Sequence, residues 1–210
     1  MDQAIPMNKT FFGTATTGKL GMWLFIIMDG LTFGAIIIGG LGFRISAASW
    51  PVAGSILDVQ LTAFNTFLLI CSSFTMVMAL NSIVKDDQKG LVKYLALTIA
   101  GGVIFLGIQA WEYSHFIIGS EHLGKQLAAA GFFGSQFLPT TSIYSSVFYV
   151  TTMFHGLHVL SGVIYLSVIL SMALKQKFTS SNYDRLEIAG LFWHFIDLVW
   201  ILVFTIIYLI

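Results

Sequence analysis

The residues best equipped for chemistry are carboxylates and imidazoles set inside long apolar stretches. Asp29 lies in GMWLFIIMDG, Glu112 and His115 in QAWEYSHF, His155 and His158 in FHGLHVLSG, and His194 and Asp197 in FWHFIDLVW. Steps of three or four residues place partners on one helix face. Three polar stripes result: Gln109, Glu112 and His115; Thr151, His155, His158 and Gly162; His194 and Asp197. Carboxylates and imidazoles so arranged suit metal ligation, proton handling or plain hydrogen bonding.

Metal chemistry needs more than these stripes supply. Glu112-x-x-His115 is half of a di-iron carboxylate motif, which requires a second copy and further glutamates on facing helices. Glu112 is the only glutamate in an apolar stretch. His155 and His158 share one helix face and cannot grip a haem from opposite sides. His194 and Asp197 could orient a metal-bound imidazole, but no further ligands accompany them at matching depth. Cys71 is the only cysteine, which excludes a disulfide framework and sites needing paired thiolates; its apolar surroundings read as a small core residue. The expectation is therefore no catalytic, cofactor-binding or metal-ligating residue. Asp29, Glu112, His155, His158, His194 and Asp197 are the candidates for buried polar or proton-handling groups, bonded to one another between helices.

The elements that must position them follow from hydropathy. The 210 residues are 57% hydrophobic and 10% charged, against about 25% charged in soluble domains. Basic and acidic residues cancel, so no field points to nucleic acid. Stretches at about 20–43, 59–84, 94–118, 142–174 and 188–210 are long enough for a hydrocarbon layer that takes roughly 20 helical residues. Lipid offers the backbone no partners, and the alternation of a barrel strand is absent, so the fold class is an all-α polytopic membrane bundle of five helices. The polar segment 1–19 shows no cleaved signal peptide, and 20–210 forms one unit. The connections are too short for a soluble domain. Lys9, Lys19, Lys85, Lys89, Lys93, Lys175, Lys177 and Arg185 fall on one side, Arg44 and Lys125 on the other. The excess predicts a cytoplasmic N-terminus and a periplasmic C-terminus. Asp29 and Asp197 lie nine positions into their spans (29 − 20; 197 − 188), about 14 Å deep at 1.5 Å per residue. Gly30 and Gly34 form a small-xxx-small pair that predicts close helix approach.

Taken together, GMWLFIIMDG, QAWEY, FHGLHVLSG and FWHFIDLVW, in that order, resemble subunit III of the haem-copper oxidases. SWP and FNTFLLICSS around the second span fit the same pattern. The resemblance covers nearly the whole chain from about residue 18, and HGLHV with WHFIDLVW is its most specific part. Many members have two further N-terminal helices, and this chain resembles the five-helix bacterial type. The resemblance implies a non-redox subunit in the bacterial inner membrane. It would pack against the catalytic subunit I and other oxidase subunits of an aerobic respiratory complex that reduces oxygen and translocates protons. Haems and copper would belong to those partners, and membrane lipid would be a structural companion. Asp29 matches the family's carbodiimide-reactive carboxylate, usually glutamate; Glu112, His155, His158, His194 and Asp197 match positions of the other motifs. Cytochrome c is the expected electron donor. A quinol oxidase, an accessory protein of nitric oxide reductase, and a small transporter or ion conductor remain alternatives.

Overall fold

In a computed structural model of the chain, residues 16–47 and 50–210 are described. Of the expected N-terminal segment 1–19, residues 1–15, Lys9 among them, lie outside the described residues, as do Ala48 and Ser49. The elements are α1 (Thr17–Ser46), a short 3-10 turn (Ala53–Ser55), α2 (Val59–Val84), α3 (Gln88–Ile118), α4 (Glu121–Ala129), α5 (Ile143–Leu174) and α6 (Asp184–Val203), which continues as a π-helix (Phe204–Leu209). Five of these helices are long and apolar enough to cross a membrane, with no named strand among the described residues.

Each span matches an apolar stretch, and the differences lie at the ends. α3 starts at Gln88 and α6 at Asp184, several residues before their hydrophobic stretches, because a helix can continue into the polar interface where hydropathy no longer marks it. Side-chain oxygens fix most starts: Asp58 accepts from Leu61 N at 3.0 Å, Asp87 from Gly90 N at 3.0 Å, and Ser142 and Ser145 form a capping box on α5. The sequence reading had only a connection where α4 lies. This helix begins at Ser120, which accepts from Leu123 N at 3.1 Å, and buries Leu123 and Leu127.

α2, α3, α5 and α6 pack side by side, and α1 lies outside against α5 and α6. Tight contacts explain the order. A Cβ on Gly102 would come within 2.6 Å of Trp193 Cη2 and 2.7 Å of Val163 Cγ2, and one on Gly162 within 3.0 Å of Trp193. The Gly30/Gly34 expectation is corrected: a Cβ on Gly30 would meet Phe195 at an ordinary 3.7 Å and one on Gly34 nothing within 4 Å. The close approach of α1 comes at Gly40, where a Cβ would lie 2.7 Å from Val147 of α5, and at Gly18, where it would lie 2.8 Å from Ile188 of α6. Cys71 is likewise exposed rather than core. In a lipid-facing helix both sides are apolar, so hydrophobicity does not mark the inner one.

Polar clasps tie the loops at each end. At the lysine-rich end, Lys19 pairs with Asp184 at 3.2 Å and with Glu187, and Thr16 Oγ1 donates to Asp184 at 2.7 Å. Asp86, at φ 57°, accepts from Ser180 N (2.8 Å) and Ser180 Oγ (2.7 Å), joining the α2–α3 turn to the α5–α6 loop. At the far end, Arg44 Nη2 donates to the Ile210 carbonyl at 2.6 Å.

Two outcomes follow. Gly102→Val destabilises the bundle by about 1–3 kcal/mol through overpacking, whereas Gly107→Ala, which meets nothing within 4 Å, does not; unfolding in mixed micelles measures both. The two Ser180 bonds hold the Asp86 carboxyl below the ordinary 3.8. A depressed folded pKa gives stability that is present above the ordinary value and is lost as pH falls through the folded one. Hydrogen exchange at Ser180 N should therefore stay slow to a pH below 3.8, and Asp86→Asn should speed it at neutral pH.

Candidate functional site: buried polar groups of the bundle

α5 presents His155 and His158 three residues apart, and three residues turn a helix by about 300°, so the two rings diverge by about 60°. They do not share one stripe of neighbours. His158 turns to α1, where its Nε2 stands 3.2 Å from Asp29 Oδ1. Its Nδ1 is 2.7 Å from the Phe154 carbonyl, which can only accept, so Nδ1 carries a hydrogen. One proton is then shared between Nε2 and Asp29, as an imidazolium–carboxylate or an imidazole–carboxylic acid pair. Phe33 of α1 lies 5.2 Å from the His158 ring and 6.3 Å from that of His155.

His155 is wholly buried, and neither ring nitrogen has a partner. Trp200 packs at 4.8 Å and Phe105 at 5.8 Å from its ring. Aromatic rings thus pack against the His155 imidazole on these sides.

α6 carries His194 and Asp197, and α2 brings a hydroxyl to the first of them: Ser73 Oγ is 2.5 Å from His194 Nδ1. Asp197 Oδ1 keeps no partner.

On α3, Glu112 turns inward and His115 outward, where it stacks on Trp111 at 5.9 Å. The π-helical end of α6 brings Tyr208 to Glu112, donating its hydroxyl to Oε2 at 3.2 Å. A π turn widens the helix by one residue, which re-aims the side chains it carries. One turn inward from Glu112, Gln109 donates to the Thr152 carbonyl at 3.4 Å, and Tyr113 donates to Thr152 Oγ1 at 2.7 Å.

Asp29 thus meets a histidine of the fourth span, but the other seam residues do not satisfy one another. Glu112 and His194 bond hydroxyls, and neither ring nitrogen of His155 has a partner. Ser73, Tyr208, Tyr113 and Thr152 had not been singled out, and the only sequence hint was the SS pair in ICSSF. Ser73→Ala leaves His194 Nδ1 without the hydroxyl it meets and should cost about 1–3 kcal/mol. Ser161→Ala, whose hydroxyl bonds only its own helix at the His158 carbonyl, should change stability by less than about 0.5 kcal/mol. Unfolding of both variants in mixed micelles provides the comparison.

Comparison with known proteins agrees along the chain. The family model described as cytochrome c oxidase subunit III matches residues 6–138 and 125–210. Cytochrome c oxidase subunit 3 of Alkalihalophilus pseudofirmus is 31% identical over 190 residues, covering 90% of this chain and 85% of that protein. The Sus scrofa subunit 3 is 31% identical over 197 residues, covering 90% of this chain and 68% of its own length. Cytochrome bo(3) ubiquinol oxidase subunit 3 of Pseudomonas putida is 30% identical over 190 residues, covering 90% and 84%. The chain is a multi-pass membrane protein and belongs to the cytochrome c oxidase subunit III family.

Proposed function

We propose that this chain is the non-redox subunit III of a haem-copper terminal oxidase in a bacterial inner membrane, with cytochrome c as electron donor. The carrying observation is a family match that runs through all five spans. In this reading the chain is one unit, 20–210, after a short segment 1–19. The lysine-rich end is cytoplasmic and the Arg44 end periplasmic by the positive-inside rule.

The work of such a subunit is positional. Haems and copper belong to the catalytic subunit, and this chain gives that partner a rigid apolar flank. Its buried acids and imidazoles hold helices in register and stand ready to exchange protons, Asp29–His158 across α1 and α5 foremost. Lipid is the second partner. Between α1 and α5, a groove of about 290 Å³ lined by Ile36, Gly39, Phe43, Val147 and Val150 suits an acyl chain.

A quinol-oxidising complex is the second reading, favoured by the Pseudomonas putida relative. A tag on this chain decides among them. The expected outcome is co-purification of a larger haem- and copper-bearing subunit, with oxygen uptake on reduced cytochrome c. Uptake on quinol alone would move the reading to the second, and recovery of a haem-free chain that conducts ions in liposomes would overturn both.

A further inference from the structure

Gln109 of α3 is 5% exposed, and its Nε2 is spent inside the bundle on Tyr113 Oη and the Thr152 carbonyl. Its Oε1 is placed differently. Among the described residues nothing donates to this oxygen, yet it is not one of the sealed polar atoms, so it opens to the outside. It opens into a groove of about 200 Å³ between α3 and α5, walled by Leu106 and Ala110 on one side and by Met153, Leu157 and Leu160 on the other. Gly156 lies in the same groove beside the amide, where a Cβ would stand 3.1 Å from Oε1.

The depth of this oxygen decides what can meet it. Gln109 lies nine residues before the outer end of α3 (118 − 109), about 14 Å into a hydrocarbon layer about 30 Å thick. Acyl chains at that depth carry no hydrogen-bond donor, and an acceptor left facing them is costly. The groove is also smaller than the roughly 300–1,000 Å³ of a cofactor or substrate pocket. A helix fits it better. The walls follow helical spacing on both sides, with small residues midway along each, Ala110 on α3 and Gly156 on α5. Small residues let a further helix come close, and a polar group at the contact then bonds across it. Ala110, Met153, Leu157 and Leu160 are all exposed, so this chain leaves the contact unfilled.

We infer that the α3/α5 groove receives a transmembrane helix of another subunit, which seats a hydroxyl, amide or indole donor on Gln109 Oε1. The inference rests on the subunit reading only in needing a membrane partner. It does not depend on the electron donor.

The test is photo-crosslinking in native membranes, with a diazirine amino acid in place of Leu157 on the groove wall of the tagged chain. The adduct should map to a membrane-spanning peptide of a co-purifying subunit, with a serine, threonine, asparagine, glutamine, tyrosine or tryptophan within one turn of the attachment point. Ala110→Leu fills the groove from its exposed side and leaves the bundle interior alone, so the variant should melt like wild type while the adduct falls to background. Gln109→Met keeps the side-chain length without the acceptor and should lower the yield about threefold, the worth of an average hydrogen bond between membrane helices. An adduct with lipid alone, with a second copy of this chain or with a peptide lacking a donor would overturn the inference, as would a yield unchanged in Ala110→Leu. A haem-bearing subunit that co-purifies with no adduct at position 157 sinks the docked helix and leaves the subunit III reading standing. An adduct with a haem-free membrane protein that answers to both variants does the reverse.

Discussion

In lipid, apolar side chains gain nothing by leaving the solvent, so the helices of this bundle are held by close packing and by hydrogen bonds formed between them. α6 is where both are concentrated. Trp193 Nε1 donates to Ser72 Oγ at 3.2 Å and Trp200 Nε1 to Thr66 Oγ1 at 2.9 Å, two bonds to α2 about two turns apart. The same indoles reach the other helices. Trp193 sits against Gly102 of α3 and Gly162 of α5, and Trp200 packs edge-on to Phe105 at 4.8 Å and against His155. Larger residues at those glycines would push the indoles off α2.

From that fixed helix the buried polar groups take their places. Because Trp193 and Trp200 set the rotation of α6, His194 beside Trp193 faces Ser73, next in sequence to the indole acceptor Ser72. Eight residues beyond Trp200 comes Tyr208 at Glu112, but the helix reaches it through π turns rather than α turns, with Ile210 N bonding Thr205 O at 3.2 Å. Hydrogen bonding in lipid is obligatory, so the wider turn keeps its backbone satisfied while it delivers the phenol.

This explains what the sequence could reveal. A span must be continuously apolar, so the five spans and the fold class were legible, as were the acids and imidazoles that interrupt them. Which neighbour each group meets was not, because that depends on helix rotation and on register between helices far apart in sequence. Ser73 and Tyr208 are ordinary residues until α6 is docked. The inner face was hidden for the same reason, and Cys71 and the Gly30/Gly34 pair were misplaced. The short helix α4 was readable in principle from Ser120 and the spacing of Leu123 and Leu127, but a connection judged only by length conceals an amphipathic turn. The lysine-rich end was visible as charge, whereas its clasps depend on Asp86 adopting a left-handed backbone that no pattern announced.

Asp29 shows how register replaces side-chain length. The subunit III resemblance places a glutamate at this position in most members, and an aspartate is shorter by one methylene. Even so Asp29 reaches His158 at 3.2 Å. The missing length is made up by backbone proximity: α1 comes to α5 with only a glycine at Gly40 against Val147, and Phe33 fits between the two histidines without holding the helices apart. Since α1 is the outermost helix and packs mainly on α6 and α5, this pair is a polar link fastening it within the membrane, together with the Thr16 and Lys19 clasp at one end and Arg44 at the other. A glutamate here would have to fold its extra methylene against Phe33 or move α1 outward. The acid that resembles the family's reactive carboxylate is therefore also a structural link, and its chemistry and the seating of α1 change together.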